Sequence, residues 1–115
     1  PAHPFVAEVL AGRQMFDAVF RQAAVASVFG PFPTGADVSE NTPVQVAVAP
    51  DRINLMPSSG SQVSIVDIRF SGQHFTVQLA ASGQLLEAQL PDVGQLKVGQ
   101  SVTIEIAPED MLIYG

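Results

Sequence analysis

Thirteen residues of this chain are written twice in outline. Val44-Gln45-Val46-Ala47-Val48-Ala49-Pro50-Asp51-Arg52-Ile53-Asn54-Leu55-Met56 recurs as Val102-Thr103-Ile104-Glu105-Ile106-Ala107-Pro108-Glu109-Asp110-Met111-Leu112-Ile113-Tyr114, with Pro50 and Pro108 standing 58 positions apart. Apolar residues match at alternate positions: Val44 with Val102, Val46 with Ile104, Val48 with Ile106. Period-2 alternation marks a strand with one buried face. Each copy then reads Ala-Pro-acid, where a strand must stop, because proline has no N–H to give a ladder. A period in the 50s on a chain of 115 residues predicts two tandem copies of one small β unit. Such a chain reads as a binding or coupling module rather than an enzyme.

The rest of the sequence supports short strands. Residues 14–21 (QMFDAVFR) and 23–29 (AAVASVF) read as adjacent strands, followed by the breaker cluster Gly30-Pro31-Phe32-Pro33-Thr34-Gly35. Residues 36–42 read as a polar loop, and 53–56 as a short strand. Pro57-Ser58-Ser59-Gly60-Ser61 reads as the seam between units. Residues 62–70 (QVSIVDIRF) change apolar phase between Ile65 and Ile68, which predicts a bulge near Val66-Asp67. Strands over 74–80 and 85–90 follow, separated by turns at Ser71-Gly72-Gln73 and Ser82-Gly83-Gln84. Even spacing with glycine turns predicts an all-β fold, a small antiparallel β-barrel or sandwich. Residues 3–12 (HPFVAEVLAG) are the exception. Phe5, Val6, Val9 and Leu10 fall at i, i+1, i+4 and i+5, the spacing of one helix face, and Gly12 reads as its C-cap. The predicted organisation is residues 1–12 as a helix or linker, 13–57 as the first unit and 58–115 as the second.

Composition narrows the function classes. Charged residues are 14% of the chain against 47% hydrophobic, and the net charge is −6. The five basic residues, Arg13, Arg21, Arg52, Arg69 and Lys97, form no cluster. Nucleic-acid binding needs concentrated positive charge to displace counterions, so it is disfavoured, as is docking to an anionic membrane. No apolar run approaches the roughly 20 residues of a spanning helix. The absence of cysteine removes disulfides and thiolate metal sites.

Catalytic constellations are missing as well. No G-x-x-x-x-G-K-[ST] or G-x-G-x-x-G loop is present. Ser71, His74 and Asp67 are close in sequence, but a polar hairpin turn explains them better than a hydrolase triad. His74, Asp67, Glu87 and Asp92 would converge on a metal only by accident of folding, and Glu109-Asp110 reads as a solvated turn. No catalytic, cofactor or metal residue is therefore assigned. Among the aromatics, Phe16, Phe20, Phe70 and Phe75 are expected in the core. Phe32, framed by Pro31 and Pro33, is the candidate exposed interface anchor, with Arg52 and Tyr114 as further candidate interface residues.

Several short motifs carry a resemblance. Gln62-Val63-Ser64, Ser71-Gly72-Gln73, Val77-Gln78-Leu79, Gly83-Gln84-Leu85-Leu86-Glu87-Ala88 and Val98-Gly99-Gln100-Ser101-Val102 occur in this order. In order and spacing the chain resembles the TOBE repeat, an OB-like fold related to Mop-like domains, which follows the ATPase core in bacterial ABC importer subunits. That family carries a strand leading into Arg-Pro-acid; here Ala49 and Ala107 stand where the arginine would be. The segment from Pro1 to Gly12 is similar to the helix by which such subunits leave the ATPase domain. The resemblance implies an OB-fold-like barrel of two TOBE units acting as a non-catalytic regulatory and dimerisation domain of an importer ATPase, at the cytoplasmic face of the cell membrane. It implies ATP and Mg in an ATPase domain preceding residue 1, pairing through that domain, contact with the transporter's membrane subunits, and a small solute such as ferric iron or polyamine as cargo. The alternative it offers is a Mop-like sensor of solute or oxyanion. Oxyanion-binding relatives use a serine in the loop after the fourth strand and a lysine after the last long strand. This chain has Pro91-Asp92-Val93-Gly94 and Ala107-Pro108 there, which speaks against molybdate or tungstate.

Overall fold

The computed structural model describes residues 14–35 and 39–114. Ten strands follow one another: β1 (Gln14–Arg21), β2 (Ala24–Ser27), β3 (Gly30–Pro33), β4 (Pro43–Val48), β5 (Asn54–Pro57), β6 (Val63–Phe70), β7 (Phe75–Ala81), β8 (Gln84–Leu90), β9 (Ser101–Glu105) and β10 (Met111–Tyr114). They form two five-stranded antiparallel sheets. Sheet A runs β10-β4-β1-β2-β3 and sheet B runs β5-β9-β6-β7-β8. The all-β reading of the sequence holds. The expected helix over residues 3–12 falls outside the described residues.

The two copies of the doubled phrase cross between the sheets. β4 ends at Val48, Ala49 stays extended, and Pro50–Arg52 makes one 3-10 turn. Proline suits the first position of that turn, since its φ is already set and its missing N–H would have had no partner. β5 then leaves sheet A and pairs with β9 of sheet B. Pro108–Asp110 makes the same turn, and β10 leaves sheet B to pair with β4 of sheet A. The pairings correspond across the 58-residue offset: Leu112 sits opposite Ala47 as Asn54 sits opposite Glu105, and Ile113 opposite Val46 as Leu55 opposite Ile104. Each turn is followed at once by a buried anchor, Ile53 in one copy and Met111 in the other. Each sheet is thus completed by a strand from the other half of the chain.

The likeness extends beyond the phrase. In sheet A the Phe20 N–H donates to the Thr42 carbonyl and the Asn41 N–H to the Phe20 carbonyl. In sheet B the Ile65 N–H donates to the Gln100 carbonyl and the Gly99 N–H to the Ile65 carbonyl. Asn41 (φ 62°) and Gly99 (φ 92°) are both left-handed, a conformation that glycine adopts freely and asparagine tolerates. Between the sheets lies one core drawn from both, in which Phe16 packs edge-on against Phe29 and Phe32 at 5.5 and 5.8 Å between ring centroids.

Two expectations about single elements are overturned. Residues 30–33, read as a breaker, form β3, because it is an edge strand whose outer side owes no ladder bonds to a neighbour. Phe70, expected in the core, is 63% exposed, because the strand that carries it runs past the end of the other sheet.

Candidate functional site

The residues singled out from the sequence do not converge. Phe32, expected as an exposed anchor, is 2% exposed and packed on Phe16: Pro31 and Pro33 face outward on β3, and the alternation turns the phenylalanine inward. Arg52 is exposed at the end of its 3-10 turn. Tyr114 is half-buried on β10, opposite Gln45. β10 and β3 are the two opposite edges of sheet A, so Tyr114 and Phe32 share no surface.

The polar residues are spent on local structure. The Ser71 hydroxyl donates to the His74 carbonyl, and the Ser71 N–H donates to the same oxygen, closing the β6–β7 hairpin. Asp67 pairs with Arg69 at 3.0 Å, an exposed ion pair worth at most about 1 kcal/mol. A hydroxyl held by a carbonyl and a carboxylate held by a guanidinium make no nucleophile–base relay with the imidazole between them. Among the described residues no three His, Asp or Glu side chains group as a metal site. Glu109 is exposed on the second 3-10 turn, with Asp110 beside it.

What the structure does build is an apolar overhang. β6 follows β9 through Val63 and Ser64, then bulges between Ile65 and Asp67. The bulge at Val66 resets the alternation, so Ile68 and Phe70 stay on the face of Ile65, opposite Val77 and Phe75. On β8 the same face continues as Leu86, Ala88 and Leu90. Burial fades along all three strands toward the hairpin tip. Ile65, Leu79 and Leu86 are buried, Ile68, Phe75 and Leu90 are partly covered, and Phe70 is open, its ring 5.0 Å from that of Phe75. The phase change in the sequence announces the bulge, but nothing in the sequence shows that sheet A stops short of the tip.

Gln14 ties the base of this overhang to β1. Its side-chain amide donates to the Glu87 carbonyl and accepts from the Glu87 N–H, so one residue occupies both backbone groups at the middle of edge strand β8. An edge blunted in this way is a poorer template for strand addition. On the other side of the molecule β3 stops after four residues, leaving a groove of about 430 Å³ beside Phe29, Pro31, Pro33, Ile106 and Pro108.

These features define a two-sheet β module with exchanged strands, an internal two-fold and no assembled catalytic group among the described residues. The sequence model of the TOBE domain matches residues 46–113, more than half of the chain, and the chain belongs to that family. The fold is similar to a crystal structure of the cytoplasmic molybdate-binding protein ModG, in a PEG-grown form with molybdate bound. The TM-score is 0.66 at 13% identity, over 88% of this chain and 94% of that one. No curated protein matches the sequence. Among the described residues no helix is long and apolar enough to cross a membrane.

Proposed function

We propose that this chain is a non-catalytic regulatory and pairing domain attached to the ATPase subunit of an ABC importer. Residues 13–57 and 58–115 are its two units, and the module works at the cytoplasmic face of the membrane. The observation that carries this reading is the doubled frame of a TOBE domain, with its polar side chains committed to turns and edges rather than to a reaction centre. The resemblance of residues 1–12 to the exit helix of an importer ATPase adds to it. ATP and Mg would be held by that ATPase domain, and pairing and contact with membrane subunits would pass through it. The test is the coding sequence immediately ahead of Pro1. The reading predicts a Walker-type phosphate loop there, and an unrelated domain would overturn it. Light scattering on the longer protein checks pairing, which a strict monomer at high concentration would contradict.

A Mop-like sensor of an oxyanion is the second reading, and the fold shared with molybdate-bound ModG is what favours it. The described cations weigh against it. Arg21, Arg52, Arg69 and Lys97 lie on separate elements, and Arg69 is already paired with Asp67. Titrating the chain with molybdate by calorimetry separates the two: heat saturating at one ion per site supports the sensor, and a flat trace supports the regulatory domain.

A further inference from the structure

We infer that, whatever domain precedes residue 1, the open edge of β3 docks an arginine side chain of a partner protein. Its guanidinium meets the Pro31 and Pro33 carbonyls and the Glu105 carboxylate, and its stem lies along the apolar groove beside them.

The edge is one-sided in its chemistry. The Thr34 N–H donates to the Ala23 carbonyl, which fixes the phase of the β2–β3 ladder. In an antiparallel pair, residues that exchange both bonds alternate with residues that exchange none. Val25 and Phe32 therefore exchange bonds, and Pro31 and Pro33 turn their backbone groups away from β2. Proline has no N–H, so the open side of β3 presents carbonyls alone, and among the described residues nothing donates to them.

β8 shows how the matching edge is closed. Pro33 holds the place of Glu87: one follows Phe32 in the row Phe20–Val25–Phe32, the other follows Leu86 in the row Ile65–Leu79–Leu86. The Gln14 carboxamide takes both backbone groups of Glu87, donating to one and accepting from the other. At Pro33 a carboxamide oxygen would find no N–H to accept from. A group that only donates fits there instead.

The groove of about 430 Å³ sets the rest of the chemistry. No β2 residue lines it, so it runs along the open side of β3. The buried Phe29, Phe32, Ile104 and Ile106 line it, and its one charged residue is Glu105, exposed and without a cationic partner among the described residues. Arg21, Arg52 and Arg69 do not line it, and the net charge of −6 favours the approach of a basic partner. An ammonium that bonds two carbonyls at about 2.9 Å each spans at most about 5.8 Å. Carbonyls two residues apart on a strand are about 6.8 Å apart. The paired terminal nitrogens of a guanidinium widen that reach, and it carries donors only. An arginine stem is also apolar enough to cover the groove while its head stays in water.

The probe is the capped peptide acetyl-Leu-Arg-Leu-amide, titrated into the isotope-labelled 115-residue chain and followed by amide shifts. Saturable shifts are expected at Gly30, Phe32, Thr103, Glu105 and Ile106, with Gly72 and Leu90 unmoved. Citrulline in place of the arginine keeps the shape, removes the charge and adds an acceptor, and should weaken binding about tenfold. Lysine in its place should weaken binding about threefold. Glu105→Gln should weaken the arginine peptide about fivefold and leave the citrulline peptide unchanged. Pro33→Ala supplies the missing N–H and should strengthen the citrulline peptide about threefold, with the arginine peptide no tighter. A flat titration with the arginine peptide, shifts confined to another face, or equal binding of the citrulline or lysine peptide overturns the inference. So does a citrulline peptide indifferent to Pro33→Ala, because an edge of acceptors alone would then not be what selects. Shifts at Gly30 and Glu105 that grow with the concentration of the chain alone would assign the edge to a second copy and overturn it equally.

Discussion

Phe20 and Ile65 hold the same place in the two sheets, and the chain treats them differently afterwards. Each trades backbone hydrogen bonds with a left-handed residue and its neighbour, Asn41 and Thr42 in sheet A, Gly99 and Gln100 in sheet B. Each faces a fully buried partner on the next strand, Val25 and Leu79, and each of those faces a buried residue on the third, Phe32 and Leu86. After Phe20 the strand ends within one residue and turns through Gln22 and Ala23. After Ile65 it bulges and runs on to Phe70 before turning. Positions present in both sheets make the core. Past them sheet B alone continues, first through the still-buried Val77 and Ala88 and then to Phe70, the exposed aromatic ring at the end of β6.

Substitutions can break this comparison. At the equivalent core positions Phe32→Ala should cost about 4 kcal/mol and Leu86→Ala about 3 kcal/mol by urea unfolding, the range for emptying a buried site. Phe70→Ala should cost less than about 1 kcal/mol, because a surface contact is removed rather than a cavity created. A cost at Phe70 equal to that at Phe32 would erase the distinction between frame and overhang. Gln14→Ala should cost about 1–2 kcal/mol and speed amide exchange at Glu87, since it strips partners from two part-buried backbone groups.

The left-handed positions sharpen the comparison further. Gly99→Ala should cost about 1–2 kcal/mol although a Cβ there would meet no atom within 4 Å, because the cost is conformational. Asn41→Gly should be nearly neutral by the same measurement, changing stability by a few tenths of a kcal/mol. One effect has the opposite sign. The β1–β2 turn places Ala23 at φ 62°, where the β7–β8 turn uses Gly83 at φ 80°. Ala23→Gly should raise stability by about 1 kcal/mol, read as an upward shift in the urea midpoint.

Much of the frame is legible in the sequence, and the reason is local. Alternation in 44–48 and 102–106, prolines that end both strands, and the phase slip at Val66 are all properties of short segments. The exchange of β5 and β10 is not legible, because residues 53–57 read as the same strand whichever sheet they join. β3 is hidden for a different reason: Pro31 and Pro33 are incompatible with a central strand, and edge position is set by the neighbours. That misreading carried Phe32 to the surface, although its alternation with the two prolines already pointed it inward. The equivalence of Asn41 and Gly99 is invisible by residue identity, since two different side chains meet one backbone demand. Phe70 fails for want of a length: its own strand says which face it takes, and only the reach of sheet A says whether that face is covered.

The claim that this module tunes chemistry done elsewhere is tested most directly by ATP hydrolysis, measured on the 115-residue chain and on the longer protein proposed to contain it. The account predicts phosphate release indistinguishable from buffer for the chain alone and steady turnover for the longer protein. Turnover by the isolated chain, or none by the longer protein, would contradict it.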